Sequence, residues 1–323
     1  MKMIFSDYKT LGYPLNLEKL SRFGELSLYD ALCGEELAEA AADAEIILTN
    51  QNRLDAGSLA KAQKLKLICE VATGYDNVDL DYCREKGIAV TNVPAYAGRS
   101  VAQHTFAMLF YLISHSRYYD DYTKSGQYAE EAFADHTGKD FFELEGKTWG
   151  IIGMGNIGRI VAKYAEGFGC RVISSPVGEG RNVDGKKTFA LSDLLGLSDI
   201  VSIHAPLTEK TKNLIGAEQL ALMKKTGILL NLGRGGIVDE EALAKALDEG
   251  VIYGAGLDVL SREPVEKDNA LLFVKNKERI YITPHIAYAS VEARERLVDI
   301  VCENIEAYCS GERKNRVDLV SLD

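Results

Sequence analysis

Three short segments carry the residues best suited to chemistry. Asn231-Leu232-Gly233-Arg234-Gly235-Gly236 sets an arginine among glycines after an apolar run. Asp258-Val259-Leu260-Ser261-Arg262-Glu263-Pro264 supplies carboxylates, and Thr283-Pro284-His285-Ile286-Ala287 places a histidine where a strand gives way to a turn. Arginine, carboxylate and histidine together suit alcohol–carbonyl redox chemistry. The histidine takes a hydroxyl proton as hydride leaves the carbon, and returns it in the reverse direction. The carboxylate orients the ring and favours the imidazolium. The guanidinium fork of Arg234 binds a carboxylate and polarises the carbonyl. Singly, an Arg, Glu or His at such a position is more often structural.

Such chemistry needs a hydride carrier, and a phosphate cradle is present upstream. Gly153-Met154-Gly155-Asn156-Ile157-Gly158 is a G-x-G-x-x-G run that directly follows the strand-like Trp149–Ile152 and opens a helical pattern. Gly153 permits the tight turn, Gly155 lets a pyrophosphate approach the backbone, and Gly158 lets the helix pack on the strand. The helix start offers unpaired N–H groups and a positive dipole end. The bland alternative is a tight turn with no ligand. An NAD site wants an acidic residue about 20 residues on, where it accepts from the ribose hydroxyls. Here the second strand ends Ser174-Ser175-Pro176, and Ser175 stands in the acidic position. With no carboxylate to repel a 2′-phosphate and Arg181 in the following loop, NADP is admitted as well as NAD. The other reading leaves Arg181 in solvent and NAD on the serine hydroxyls.

Composition narrows the partners. The 323 residues are 46% hydrophobic and 26% charged, ordinary for a globular chain of about two domains. A net charge of −11 disfavours nucleic acid and anionic membrane surfaces, and an anionic substrate must meet a local positive site. The longest strongly apolar run, Phe106 to Ile113, is too short to span a membrane, and Met1 to Phe5 is no signal-peptide core. The six cysteines form no C-x-x-C pair and the five histidines no H-x-x-x-H spacing, so no metal site is expected. Scattered thiols suit a cytoplasmic protein.

The elements that must position these residues alternate strand and helix, the pattern of parallel α/β sheets. Strands are expected at Lys2–Phe5, Glu45–Leu48, Leu65–Glu70 and Ile88–Val90, with helices at Asp55–Gln63 and Asp79–Lys86. Pro94 interrupts the rhythm, and one long helix is expected from Ser100, its N-cap, to about Tyr119. A loop over 126–146 precedes a second series. Its strands are expected at Thr148–Ile152, Arg171–Ser174, Ile200–His204, Gly227–Asn231, Tyr253–Asp258 and Ile280–Thr283. Helices fit at Ile157–Phe168, Leu191–Leu195, Ala217–Met223 and Glu240–Glu249, a complete dinucleotide-binding layout. A last helix covers Ser290–Tyr308, packing on the first domain, and Glu312–Arg316 reads as a solvated tail.

These segments resemble the D-isomer-specific 2-hydroxyacid dehydrogenase family, of the glycerate dehydrogenase or hydroxypyruvate reductase kind. The likeness is carried by Gly153–Gly158, "NLGRGGIVD" at Asn231–Asp239, "GLDVLSREP" at Gly256–Pro264 and "TPHIA" at Thr283–Ala287. "ATGYDNVD" at Ala72–Asp79, "NVP" at Asn92–Pro94 and "SVAQHT" at Ser100–Thr105 extend it over essentially the whole chain. The resemblance implies two Rossmann-like domains with doubly wound parallel sheets, an active site in the cleft between them, and a homodimer. Residues 1–98 plus 287–323 would form a discontinuous substrate domain, and 99–286 the dinucleotide-binding domain. It makes His285 the catalytic base, Glu263 its partner and Arg234 the substrate-binding arginine. Ala72, Thr73 and Gly74 would hold the substrate carboxylate through backbone amides. Facing the cofactor would be Val101, Thr105, Met154, Asn156, Ile157, Ser174, Ser175, Ala205, Pro206, Leu232, Gly233, Asp258 and Ala287, beside the glycines, Arg234 and His285.

The implied activity is NAD(P)-dependent hydride transfer to a small 2-keto acid, best guessed as hydroxypyruvate or glyoxylate. Ser175 departs from the family's aspartate, Gln103 from a common glutamate, and Leu232 from a small polar residue. Glu263 disfavours formate dehydrogenases, which place glutamine there. A regulatory C-terminal extension is not expected, which disfavours phosphoglycerate dehydrogenase. That activity, an erythronate-phosphate dehydrogenase and an NADH-sensing corepressor are the alternatives. His104 is expected to pack or hinge, and His204 to sit at the cofactor edge. Tyr75, Tyr96 and Tyr288 line a pocket or are half-buried aromatics.

Overall fold

Short β-branched runs that read as strands become two fully parallel sheets. The computed structural model describes residues 1–12, 15–176 and 188–319. Contacts divide it into two units, Met1–Ala97 with Tyr288–Asp323, and Gly98–Ala287.

In the first unit the chain runs β1 (Lys2–Phe5), β2 (Glu25–Leu28), α1 (Gly34–Ala41), β3 (Ile46–Thr49), β4 (Leu67–Glu70), α2 (Leu80–Lys86) and β5 (Ala89–Thr91). The sheet order is β2-β1-β3-β4-β5. Ile4, Ile47, Ile68 and Val90 stack their buried side chains into its core, with Leu37, Leu54 and Leu80 from the covering segments. Two elements were not anticipated. β2 alternates polar and apolar residues at the sheet edge and stays partly exposed, and α1 is a two-turn helix. The expected helix over Asp55–Gln63 is instead a series of turns. Asp55 Oδ1 accepts the N–H groups of Gly57 and Ser58, and mixed three- and four-residue backbone bonds replace a helical ladder.

The second unit opens with α3 (Gly98–Ile113) and α4 (Ser116–Lys124). The single long helix expected here is therefore two. His115 breaks it, with a left-handed φ of 48°. That conformation is uncommon for a side-chain-bearing residue. Its ring is held by the Tyr253 hydroxyl at 2.9 Å and the Asp140 carbonyl at 3.1 Å. Ser100 is no cap but lies inside α3, where its hydroxyl donates to the Ala287 carbonyl at 2.6 Å.

There follow β6 (Thr148–Ile152), α5 (Asn156–Gly167), β7 (Arg171–Ser175), α6 (Leu191–Leu197), β8 (Ile200–Ile203) and α7 (Ala217–Leu222). Then come β9 (Ile228–Asn231), α8 (Glu240–Glu249), β10 (Gly254–Leu257) and β11 (Ile280–Ile282). The order is β11-β10-β9-β8-β6-β7, and a parallel bridge from Ser174 to Thr188 adds one position beyond β7. The chain leaves β6 toward β7 and returns on the other side as β8. The crevice at the carboxyl ends of β6 and β8 is thus the topological switch point, where open α/β sheets bind ligands. Val201, Ile203, Leu229, Leu243, Leu247 and Leu257 fill the core on one face.

The chain re-enters the first unit with α9 (Val291–Cys309), capped by the Ser290 hydroxyl on Ala293 N–H at 3.2 Å. Beyond it, Glu312–Lys314 are exposed, as expected of a solvated tail, but Asn315 and Arg316 are half-buried and built into the sheet edge. Arg316 bridges Thr91 antiparallel, Val317 N–H donates to Val90 O at 2.9 Å, and Asn92 N–H donates to Asn315 O at 3.2 Å. This covers the outer edge of β5. Asp318, 7% exposed, accepts Val90 N–H at 2.9 Å and Arg316 Nε at 2.7 Å. Among the described residues no helix is long and apolar enough to cross a membrane.

Burial pushes the Asp318 carboxyl up, but Arg316 and the Val90 N–H outweigh it and hold it below the ordinary range. A carboxyl depressed on folding stabilises above its unfolded value of about 4 and loses that stabilisation as pH falls through its folded value. Asp318→Asn is expected to cost about 1–3 kcal/mol at neutral pH, read as a lower melting temperature. The gap between variant and parent should close in melts below about pH 4.

Candidate active site

The cradle forms where β6 meets α5. Gly153 has φ of 93°, and a Cβ there would lie 2.8 Å from the His204 carbonyl carbon, so the turn lies flat against the loop after β8. A Cβ on Gly158 would overlap the Gly153 carbonyl. At Gly155 a Cβ would meet nothing, which leaves open space over the start of α5. No side chain caps that helix. Its first N–H groups therefore face the opening, and the site fits a pyrophosphate. Met154 is buried, Ile157 half-buried and Asn156 exposed. Gly98 at the start of α3 packs against Asn156 and Ile160, which brings Val101 and Thr105 of α3 beside α5. Both are buried, and the Thr105 hydroxyl is committed to the Val101 carbonyl at 2.8 Å.

His204 lies at the end of β8. Its Nε2 sits 3.1 Å from Ser202 Oγ, which accepts Trp149 Nε1–H at 2.9 Å. His204 Nδ1 meets no hydrogen-bond partner among the described residues. Burial pushes its pKa down to about 3. It stays neutral, a packed member of the strand end. Ala205 is buried and Pro206 exposed beyond it.

The residues expected to handle substrate and proton come from the ends of β9, β10 and β11. Asn231 shapes the loop after β9, accepting Gly233 N–H at 3.2 Å and donating to the Arg234 carbonyl at 3.0 Å. Leu232 is buried, whereas Arg234 is half-buried. A Cβ on Gly235 would overlap the Leu260 carbonyl, so this loop and the one carrying Glu263 lie backbone to backbone. Glu263 uses both oxygens. Oε1 accepts Leu260 N–H at 2.9 Å, and Oε2 meets His285 Nδ1 at 2.7 Å. Burial raises the Glu263 carboxyl, but the bond and charge of His285, the Leu260 N–H and the Arg234 charge outweigh it. The net is a carboxyl below its ordinary range, hence an anion that only accepts. His285 Nδ1 must then donate, and proton chemistry falls to Nε2.

His285 takes the left-handed region, φ 53°, with its N–H donating to Asp258 O at 2.9 Å and Thr283 O at 3.0 Å. Asp258, 2% exposed, fixes that turn. Its Oδ1 accepts the Thr283 hydroxyl at 2.6 Å and Ile286 N–H at 2.9 Å, and its Oδ2 accepts Ala287 N–H at 2.9 Å. Here Asp258 shapes the turn that carries His285. With the Thr283 proton given to Asp258, His104 Nε2 at 3.1 Å is the donor to that hydroxyl. Burial lowers the His104 pKa against the Asp258 charge, so this ring is neutral. Thr283 and Ser100 are the positioning residues sequence reasoning missed; a hydroxyl beside a motif aspartate was the available signal.

In the first unit, Ala72 O accepts Val93 N–H at 2.8 Å, and Thr73 O accepts Asn92 Nδ2 at 2.8 Å. The Thr73 hydroxyl donates to Val93 O at 2.9 Å. The loop is pinned through its carbonyls and one hydroxyl. The N–H groups of Ala72, Thr73 and Gly74 meet no acceptor among the described residues, the arrangement that suits a carboxylate. The tyrosines are packing groups: Tyr96 is buried edge-on to Tyr288, and Tyr75 packs on the core. Arg181 lies outside the described residues.

A phosphate cradle at a switch point and an imidazole held by a carboxylate on the same sheet define a nicotinamide-dependent dehydrogenase. The chain belongs to the D-isomer specific 2-hydroxyacid dehydrogenase family: the model of that family's NAD-binding domain matches residues 106–287. It is thus an NAD(P)-dependent oxidoreductase acting on the CH–OH group. It is 38% identical over 285 residues to a glycerate dehydrogenase of Methylorubrum extorquens, covering 88% of each chain. It is 35% identical to a hydroxypyruvate reductase of Blautia hydrogenotrophica, covering 98% of this chain and all of that one. A D-lactate dehydrogenase from Aquifex aeolicus, solved with NAD and lactic acid, superposes with a TM-score of 0.83 at 32% identity, covering 99% of this chain and 100% of that one.

Gly235→Ala should force the Arg234 and Glu263 loops apart. Steady-state kinetics on the folded variant are expected to give kcat/KM about 10²-fold lower, the order set by misplacing a reacting group by an ångström.

Proposed function

We propose that this chain reduces hydroxypyruvate or glyoxylate to the D-2-hydroxy acid, working as a homodimer in the cytoplasm. The observation that carries the chemistry is the 2.7 Å contact between His285 Nδ1 and an ionised Glu263 that also feels Arg234. The substrate choice is supported by the names of relatives, a glycerate dehydrogenase and a hydroxypyruvate reductase. The homodimer rests on the family resemblance. Six free thiols agree with a reducing compartment.

When bound, the nicotinamide supplies or receives the hydride. His285 Nε2 gives a proton to the developing alkoxide during reduction and takes it back during oxidation. Glu263 stabilises the imidazolium and keeps the ring in one orientation. Arg234 binds the substrate carboxylate and draws charge from the carbonyl. In the first unit, the amides of Ala72, Thr73 and Gly74 are open to a carboxylate. Gly153 to Gly158 take the pyrophosphate, with Val101, Thr105, Ala205, Pro206, Leu232, Gly233, Asp258 and Ala287 around the remainder of the cofactor.

Loss of reduced-nicotinamide absorbance with hydroxypyruvate, glyoxylate, pyruvate and a branched 2-keto acid tests the substrate. Turnover fastest with hydroxypyruvate or glyoxylate is expected; preference for the branched acid would contradict the proposal. In the same assay His285→Ala should lower kcat by ~10²–10⁴. Glu263→Gln keeps the shape of that side chain but removes the anion that orients the ring, and in the same assay it should lower kcat about 10²-fold.

A further inference from the structure

A cavity of about 80 Å³ opens at the carboxyl ends of β6 and β7. It is lined by Ile152, Ser175, Pro176, Leu191, Lys210, Thr211 and Leu214. The place is where the ribose of a dinucleotide held at Gly153–Gly158 would lie, beyond the switch point. Among its described lining residues there is no carboxylate, and Lys210 is the one that carries a charge. Ser175 is only 5% exposed, and its hydroxyl has no hydrogen-bond partner among the described residues.

Lys210 rides on a rigid turn. Thr211 is fully buried, and its hydroxyl donates to Pro206 O at 2.7 Å while accepting Thr208 N–H at 2.7 Å. Thr211 N–H and Lys212 N–H both donate to Thr208 O, at 3.0 and 2.9 Å. The backbone on either side of Lys210 is thereby fixed at the cavity rim, while its ammonium makes no ion pair or hydrogen bond with any described residue. Glu209 and Lys212 flank it in sequence but do not line the cavity.

We propose that Lys210 reads the 2′-phosphate of NADP(H), with the Ser175 hydroxyl as a second donor, and that this chain prefers the phosphorylated dinucleotide. A chain of net charge −11 needs a local cation to hold a dianion, and the cavity lining supplies an ammonium and a hydroxyl that have no partner among the described residues. A carboxylate at Ser175 would repel that phosphate and accept ribose hydroxyls instead. The inference rests on the dinucleotide cradle, not on the keto-acid substrate.

Calorimetric titration with 2′,5′-ADP and 5′-AMP, which carry no nicotinamide, reads the site without catalysis. The folded parent should bind 2′,5′-ADP at least about tenfold more tightly than 5′-AMP, the order expected of a charged hydrogen bond. Lys210→Glu should abolish that difference and leave 5′-AMP unchanged, whereas Lys210→Arg should keep it. Ser175→Asp should reverse the preference of the full cofactors, measured as NADPH and NADH dissociation constants. Equal binding of both probes by the parent would overturn the inference. So would a preference that survives Lys210→Glu, including one that only Arg181→Ala removes. Keto-acid turnover with NADH alone would overturn it too, yet leave the dehydrogenase reading standing.

Discussion

The buried Asp258 carboxylate at the end of β10 accepts one hydroxyl and two N–H groups from the turn after β11. A carboxylate at 2% exposure is costly unless its oxygens are satisfied, so the turn must close around it. Closure puts His285 in a left-handed conformation that most side chains avoid, at roughly 1 kcal/mol or more. The same carboxylate orders the Thr283 hydroxyl and, through it, the neutral His104 ring on α3. A single buried carboxylate therefore sets the direction in which the His285 imidazole leaves the sheet.

Glu263 completes the constraint from the neighbouring loop. One oxygen is tied to its own backbone at Leu260 and the other to the imidazole, so the carboxylate cannot rotate without losing both bonds. The loop bearing Arg234 is pressed against this one at Gly235, which couples the guanidinium to the same framework. The candidate catalytic groups come from three strand ends held by one another, and the glycines are where backbones must touch.

Much of this was legible before the fold. Parallel strands buried on both faces read as apolar runs, and the cradle glycines mark where β6 ends, so the second sheet was placed within a residue or two per strand. Arg234, Glu263 and His285 were found by motif, and the structure places them at adjoining strand ends. Other features lacked a local signal. β2 is a half-exposed edge strand without an apolar run. The break at His115 is stabilised by Tyr253, 138 residues away, and no helical periodicity announces it. Glu312–Arg316 reads as a polar tail because the partners of Asn315 and Arg316, Asn92 and Thr91, lie over 200 residues earlier. Asp55–Gln63 has helical composition, but the Asp55 side chain captures the backbone donors that a helix would need.

The central claim is that Glu263 holds the proton of the neutral His285 ring on Nδ1 and leaves Nε2 to face the reacting oxygen. Nitrogen-15 spectra of histidine-labelled enzyme read this directly, with His285→Ala supplying the assignment. The account predicts, for the neutral ring, a protonated Nδ1 and a lone-pair-bearing Nε2. A ring found protonated on Nε2 would contradict it, because that nitrogen could not then accept the hydroxyl proton.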